Sequence, residues 1–147
     1  MAEFENMTET IVDVTRPAFE GIEGLAAREV GAMGEALAAS FLEDRGYELV
    51  DRNWETPFGE ADIIARNEDG LIFVEVKSRR LLGFPYDEAP EAAVGKDKFT
   101  RYAKMAEFFK TTHGEVGSIR FDVVGITFLS NRIAHIAHLS GGYWWDE

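Results

Sequence analysis

Asp62, Glu75 and Lys77 are the residues of this sequence whose types and spacing could support chemistry. Asp62 lies in a predicted strand of residues 59–64, and the other two close an apolar predicted strand of residues 71–77. Side chains alternate along a strand, so Glu75 and Lys77 share one face. Carboxylate oxygens are ligands for divalent cations, and a nearby lysine can stabilise a developing negative charge. The three residues are therefore candidates for a catalytic metal site.

The turn between these two strands predicts how the carboxylates face each other. Residues 67–70, Asn-Glu-Asp-Gly, are typical of a hairpin turn. If all four form the loop, Asp62 lies directly opposite Glu75, and a shorter loop of Asp69 and Gly70 shifts the pairing by two residues but keeps the faces. Two facing carboxylates repel each other, and a bound divalent cation removes that penalty. The alternative is a solvated charged face, against which the apolar neighbours in both strands argue.

Length and composition predict one domain with a sizeable core. The chain has 147 residues, no cysteine and no apolar run long enough to span a membrane. Its N-terminus is acidic where a secretory signal would be basic, which favours a cytoplasmic location. The net charge of −12 argues against non-specific binding to nucleic acid. Residues 77–110 nevertheless hold eight bases and five acids, so either a local basic surface or a set of solvated helix residues is expected there.

The predicted elements run in the order helix, three strands, helix, two strands, which favours an α/β fold with a mixed sheet. Residues 1–22 lack a sustained period and are predicted to be a loose leader, followed by a single domain over residues 23–147. Residues 79–95 hold two prolines and two glycines and are predicted to be a loop with a short helical turn at residues 88–94. The predicted helices are Ala26–Arg45 and Lys96–Thr112, and the other strands are Glu48–Trp54, Ser118–Phe128 and Arg132–Leu139.

Several other residues are candidates with an ordinary structural alternative. Glu35 lies mid-helix among small residues, where a glutamate is most often a surface residue. Asp122 is either a satisfied polar residue of a strand or a residue that supports a site. His135 and His138 are three apart in a predicted strand and point to opposite faces, so a shared metal is not expected. The aromatic segment 143–145 is predicted to be a tail packed on the domain, with a base-stacking platform as the alternative.

Together these motifs resemble the YraN-like family of bacterial proteins. The resemblance covers about residues 28–139. The motifs are Gly34-Glu35 in a helix, Gly59-Glu60-Ala61-Asp62 and Phe73-Val74-Glu75-Val76-Lys77 in strands, Lys98-x-x-Arg101 at a helix start and Arg120-Phe121-Asp122-Val123 in a strand. That family is similar to the PD-(D/E)xK nuclease superfamily, and its motifs are closest to those of Holliday-junction resolvases. The resemblance implies a restriction-endonuclease-like α/β core, with a mixed central sheet of about five strands flanked by helices.

The resemblance also implies a metal-dependent endonuclease-like protein with Mg²⁺ or Mn²⁺ as its cofactor. Its catalytic residues would be Glu35, Asp62, Glu75 and Lys77, and the ligands of the metal would be Asp62, Glu75, Glu35 and the carbonyl of Val76. The expected partner is nucleic acid, with DNA in branched or flapped forms favoured and a homodimer left open. The residues expected to contact phosphates are Arg79, Arg80, Lys98, Arg101 and Lys104. The alternatives are a non-catalytic nucleic-acid-binding module and a protein-interaction module.

Overall fold

The computed structural model describes residues 4–17, 19–81, 96–114 and 116–145. The predicted helical turn at residues 88–94 lies outside these ranges. Neither described helix is long and apolar enough to cross a membrane. The elements are β1 (Asn6–Asp13), α1 (Ala27–Asp44), β2 (Glu48–Thr56), β3 (Gly59–Asn67), β4 (Gly70–Arg80), α2 (Lys96–His113), β5 (Ile119–Phe128) and β6 (Ile133–Trp145).

The strands form one mixed sheet in the order β1-β6-β5-β4-β3-β2. β4 and β5 run parallel to each other, and every other neighbouring pair is antiparallel. The parallel pair is joined through α2, which is the crossover that a parallel connection requires. The predicted α/β fold, a mixed central sheet flanked by helices, is confirmed, with six strands in place of about five.

The additional strand corrects the prediction of a loose leader. Residues 6–13 form β1, which pairs with β6 along its whole length at one edge of the sheet. Most of β1 is exposed, including Met7 at 57% and Ile11 at 62%. An exposed edge strand carries little apolar alternation, and that alternation is the signal that identifies strands in a sequence.

β6 corrects the form of the predicted aromatic tail but not its packing, since Trp145 packs against the core that contains Phe73 and Phe121. It continues past the predicted end at Leu139 as far as Trp145, so segment 143–145 is the end of a strand. Gly141 adopts a positive φ of 73°, and the pairing of β6 with β5 shifts register in this region. A glycine in that conformation permits a bulge, after which the strand resumes. The sequence Gly-Gly at this point instead favours a turn, which is why the strand was predicted to stop early.

The two helices cover opposite faces of the sheet and build two cores. Side chains of β4 alternate between these cores, with Ile72 and Val74 in the core beneath α1 and Leu71 and Phe73 in the core beneath α2. The same alternation directs Glu75 to the α2 face. The buried chains of α1 are Val30, Ala38, Ala39, Phe41 and Leu42, and those of α2 are Tyr102, Met105, Ala106 and Phe109.

Gly34 brings α1 unusually close to the end of β4. A Cβ atom added to Gly34 would lie 1.7 Å from Oγ of Ser78, so a larger residue does not fit without displacement. Oγ of Ser78 is buried and has no hydrogen-bond partner in the described part of the chain. The close approach places the next residue, Glu35, beside the segment of β4 that carries Glu75 and Lys77.

Candidate metal site

β3 and β4 stop pairing at the point where Asp62 and Glu75 face each other. The regular pairing ends at Ile63 and Val74, one residue before the two carboxylates. Oδ2 of Asp62 instead accepts a hydrogen bond of 2.8 Å from the amide of Val76. This is the first of the two predicted registers. The side chain of Asp62 thus occupies the gap that opens between the separating strands.

Burial and like charge raise the pKa of Asp62 from 3.8 to about 7. Removal from water is the largest cause, and the charge of Glu75 is the next. Glu35 raises this pKa further, while the hydrogen bond from Val76 and the charge of Lys98 lower it. The Asp62 carboxylate therefore lies in a site that disfavours its negative charge in the absence of a cation.

Glu75 is held by two side chains of α2. Its Oε1 lies 2.9 Å from Nζ of Lys98, and its Oε2 accepts a hydrogen bond of 2.5 Å from the hydroxyl of Tyr102. The Glu75 side chain is only 11% exposed. Burial and the charges of Glu75 and Asp62 raise the pKa of Tyr102 well above its usual value, so this hydroxyl remains a hydrogen-bond donor. Lys98 thus supplies the positive charge that compensates Glu75.

The remaining predicted site residues surround this pair without completing a metal cage. The Lys77 side chain is exposed, and no hydrogen bond or ion pair joins it to another of the described residues. Oε1 of Glu35 accepts a hydrogen bond from Asn53, and the charge of Glu35 reaches Asp62. Among the described residues, no three His, Cys, Asp or Glu side chains are arranged to hold a metal ion. The charges of Glu35 and Glu75 both act on Asp62, but the three carboxylates do not form a metal-binding cluster.

Asn53 is a site residue that sequence reasoning missed. Its Nδ2 donates hydrogen bonds to Oε1 of Glu35 at 2.8 Å and to Oε1 of Glu60 at 2.9 Å. Its φ of 52° lies in the left-handed region, which asparagine adopts more readily than most residues. The available signal is an asparagine within a predicted strand, where that residue is depleted. Such a residue indicates an irregularity, although it does not identify the partners.

Comparison with known proteins gives the family of this chain. Residues 34–126 match the Uncharacterised protein family UPF0102. A UPF0102 protein of Streptomyces griseus is 44% identical over 99 residues, which cover 66% of this chain and 81% of that relative. A UPF0102 protein of Rhodococcus jostii is 40% identical over 115 residues, covering 78% of this chain and 95% of the relative. This chain belongs to the UPF0102 family.

A solved structure also matches the UPF0102 chain. It is the structure of SfsA from Pyrococcus furiosus in complex with Ca²⁺, with a TM-score of 0.40 and 17% sequence identity. The match covers 78% of the UPF0102 chain and 64% of the SfsA chain. The family match begins at Gly34 and includes every residue discussed above as part of the candidate site.

The five basic residues predicted to contact phosphates fall into two groups. Arg79 and Arg80 are half-buried and turned inward, since Nε of Arg79 donates to Oγ1 of Thr127 and Arg80 donates to the carbonyl of Leu25. Three bases lie on α2 at successive three-residue intervals and therefore on neighbouring positions of one helix surface. These three are Lys98, which pairs with Glu75, and the exposed residues Arg101 and Lys104. Nζ of Lys104 lies 6.0 Å from the centre of the Phe58 ring.

Asp122 of the UPF0102 chain belongs to a buried ionic network whose other members are not candidate site residues. It lies on β5 and accepts two hydrogen bonds of 2.8 Å from Arg120, one of 2.7 Å from Nε2 of His138 and one of 3.0 Å from the amide of Gly141. His135 instead lies 3.1 Å from Glu9 of β1. The two histidines therefore contact different partners.

The raised pKa of Asp62 predicts a specific dependence of stability on pH. Between about pH 4 and pH 7 the folded protein keeps a proton on this carboxyl that the unfolded chain releases. The contribution of Asp62 to stability is therefore greatest below about pH 4 and declines as the pH rises through about 7. Asp62→Asn removes this decline. The free energy of unfolding of the variant, relative to that of wild type, should therefore increase from about pH 4 to about pH 7. Urea unfolding of both proteins in chelator at several pH values measures the difference, and a difference independent of pH would contradict the assigned pKa.

Proposed function

We propose that this protein is a Mg²⁺- or Mn²⁺-dependent phosphodiesterase that cleaves DNA, with branched or flapped forms as its preferred substrates. The observation that carries the proposal is the pair of neighbouring carboxylates at the separation of β3 and β4. Asp62 there has a pKa of about 7 because it is buried beside Glu75. Lys77 follows Glu75 on the same strand face and is exposed. A carboxyl whose pKa is raised by burial and by a neighbouring charge is more frequent at functional sites than elsewhere.

The chemistry of this site suits a hard divalent cation. Glu75 is buried and Asp62 is half-buried, so their negative charges repel where water screens them poorly, and a cation would relieve that repulsion. Glu35 and the carbonyl of Val76 would complete an all-oxygen set. A bound Mg²⁺ or Mn²⁺ would supply polarisation of the scissile phosphate and a water of lowered pKa.

The side chains of the protein itself have separable roles in this proposal. Lys77 would donate a hydrogen bond to the attacking water or to the charged phosphoryl oxygens. Tyr102 would keep its hydrogen bond to Oε2 of Glu75 and so orient that carboxylate. Lys98 would release Oε1 of Glu75 and turn towards a phosphate, because its ammonium and a metal compete for the same oxygen. A site compensated by its own lysine remains folded when no metal is bound.

The charge distribution supports a preference for branched or flapped DNA. The net charge of −12 opposes long-range attraction of a plain duplex. Arg101 and Lys104 are exposed on the helix that also carries Lys98. A substrate that brings several phosphates to this one surface would gain more from these bases than a straight duplex does.

A panel of labelled duplex, single-stranded, flapped and branched DNA, incubated with Mn²⁺ or Mg²⁺, tests the proposal. Cleavage by wild type that disappears in Lys77→Ala would support a phosphodiesterase. Lys110→Ala serves as the control, because it removes a lysine of α2 that donates to the carbonyl of Trp145, away from the site. Equal activity of wild type and Lys77→Ala, or no cleavage of any substrate, would overturn the proposal.

The proposed phosphate contacts predict a change in the salt dependence of DNA binding. In a Lys77→Ala background with Ca²⁺, each of Arg101→Ala and Lys104→Ala should lower the slope of log affinity against log salt by about one, since each removes one phosphate contact. Arg66→Ala removes an exposed arginine that pairs with Glu48 and should leave the slope unchanged. Fluorescence anisotropy across a salt series measures the slopes. Equal slopes for all four proteins would place the nucleic acid on another surface.

The second candidate is a non-catalytic module that binds nucleic acid or protein. The observation that favours it is the engagement of both oxygens of Glu75 by Lys98 and Tyr102. A carboxylate compensated in this way can be stable without any metal. Calorimetric titration with Mn²⁺ separates the two candidates, because a module of this kind needs no Mn²⁺ at Asp62.

A further inference from the structure

We propose that Asn53 is a positioning residue, which fixes the carboxylate of Glu35 on the sheet beside Asp62. The metal-binding part of this inference rests on the proposed function, whereas the contact itself does not. Asn53 lies on β2, Glu35 on α1 and Glu60 on β3, so one side chain joins three separate elements at the edge of the site.

The chemistry of the contact favours a side chain with two donors at this position. Glu35 and Glu60 offer only acceptors when ionised, so their oxygens near each other repel unless a donor lies between them. Nδ2 of Asn53 lies 2.8 Å from one carboxylate and 2.9 Å from the other, and its two hydrogens satisfy one oxygen of each. An aspartate of the same shape would place a third carboxylate in the same space.

The backbone conformation of Asn53 directs its side chain between Glu35 and Glu60. Asn53 falls between the paired residues Arg52–Ile63 and Trp54–Ala61, so the register sets it opposite Asp62. Its φ of 52° interrupts the extended conformation at that residue. Asparagine adopts the left-handed region more often than most residues because its short polar side chain can hydrogen-bond to the nearby backbone. The irregularity of β2 and the amide therefore act together.

The position of α1 explains why the Asn53–Glu35 contact affects the site. Gly34 lies against Ser78 at the end of β4, which limits how far α1 can shift. Glu35 itself is half-buried and has one described hydrogen-bond partner among the side chains, which is Asn53. Without that amide, the Glu35 carboxylate would turn towards solvent, away from Glu60. The Glu35 side chain would then have to turn back from solvent towards the site each time a cation binds at Asp62.

The test combines a metal-free measurement with a metal-binding measurement on the full chain. In chelator, urea unfolding compares Asn53→Asp with Asn53→Asp/Glu35→Gln. The double variant exchanges donor and acceptor, because the amide of the introduced glutamine can donate to the introduced aspartate. We expect Asn53→Asp to lower the unfolding midpoint and the second substitution to restore part of the loss. Absence of any restoration would overturn the contact, whether or not the protein binds metal.

The metal-binding measurement uses Asn53→Gly, which keeps the left-handed backbone and adds no charge. Calorimetry should show Mn²⁺ affinity reduced about tenfold, the size expected for loss of a residue that orients a ligand. In a Glu35→Gln background the same substitution should cause no further reduction. Asn67→Gly is the matched control, since it removes an asparagine whose Oδ1 accepts from the amide of Asp69 in the β3–β4 turn. It should lower stability and leave Mn²⁺ affinity unchanged.

Two results would separate failure of this inference from failure of the proposed function. An equal loss of Mn²⁺ affinity from Asn53→Gly in the presence and absence of Glu35 would overturn the positioning role while leaving a metal site intact. If wild type binds no Mn²⁺, the proposed function is overturned. Urea unfolding of Asn53→Asp and Asn53→Asp/Glu35→Gln in chelator would still decide whether Asn53 fixes Glu35.

Discussion

Asp62→Asn is expected to abolish the rise in melting temperature that Mn²⁺ causes in wild type. A ligand that binds only the folded state at 100 times its dissociation constant stabilises it by about 2.7 kcal/mol. For a chain of 147 residues this corresponds to a rise of roughly 8 °C. Asparagine has no negative charge and is a poorer ligand for a hard cation, so the rise should vanish with Asp62. Differential scanning calorimetry with and without Mn²⁺ measures it.

The same substitution has the opposite consequence in the metal-free protein. The Oδ1 atom of an asparagine can still accept the hydrogen bond from Val76, and the repulsion with Glu75 is removed. Asp62→Asn should therefore be neutral or stabilising in chelator. A loss of more than about 1 kcal/mol, the size of a typical hydrogen bond, would assign Asp62 an ordinary structural role. Asp51→Asn, an exposed aspartate of β2, is the control and should retain the full Mn²⁺ effect.

The part of this site that is local in sequence was predictable. The alternation of side chains along two strands and the turn at residues 67–70 set the register, which places Asp62 opposite Glu75. No contact between distant parts of the sequence is needed to set it. The direction of Glu75 towards the α2 face follows from the apolar residues that precede it. These features depend on the two-residue alternation of side chains along a strand and on the geometry of a hairpin.

The partners of Glu75 were not predictable from sequence. Lys98 and Tyr102 follow Glu75 by 23 and 27 residues, and their contact depends on how α2 lies across the sheet. The charge of Lys98 favours a phosphate contact, and the sequence does not show that a carboxylate lies within its reach. The charge of Arg80 favours the same contact, yet Arg80 binds the carbonyl of Leu25, 55 residues away in sequence. Charge identifies which side chains could bind an anion, whereas packing decides which ones are available.

Asp122→Ala is expected to cost about 3–5 kcal/mol of the free energy of unfolding, which is the size observed when one member of a buried ion pair is removed. The Asp122 side chain is fully buried, and that of Arg120 is only 7% exposed. Burial would raise the pKa of Asp122, but hydrogen bonds from His138 and Arg120 and the charge of Arg120 outweigh burial and lower it. The substitution leaves a guanidinium without its bidentate partner in a site that water reaches poorly.

The control for this prediction is a second carboxylate on the same arginine. Oδ2 of Asp69 lies 3.3 Å from Nη1 of Arg120, and the Asp69 side chain is 52% exposed. Asp69→Ala should therefore cost less than about 1 kcal/mol, as for other exposed ion pairs. Urea unfolding at neutral pH measures both variants, and equal losses would mean that burial of Asp122 does not govern its contribution. Asp62 and Asp122 lie in one sheet, yet their removal should have opposite effects on the metal-free protein, because one carboxylate has like charge as its neighbour and the other is surrounded by donors.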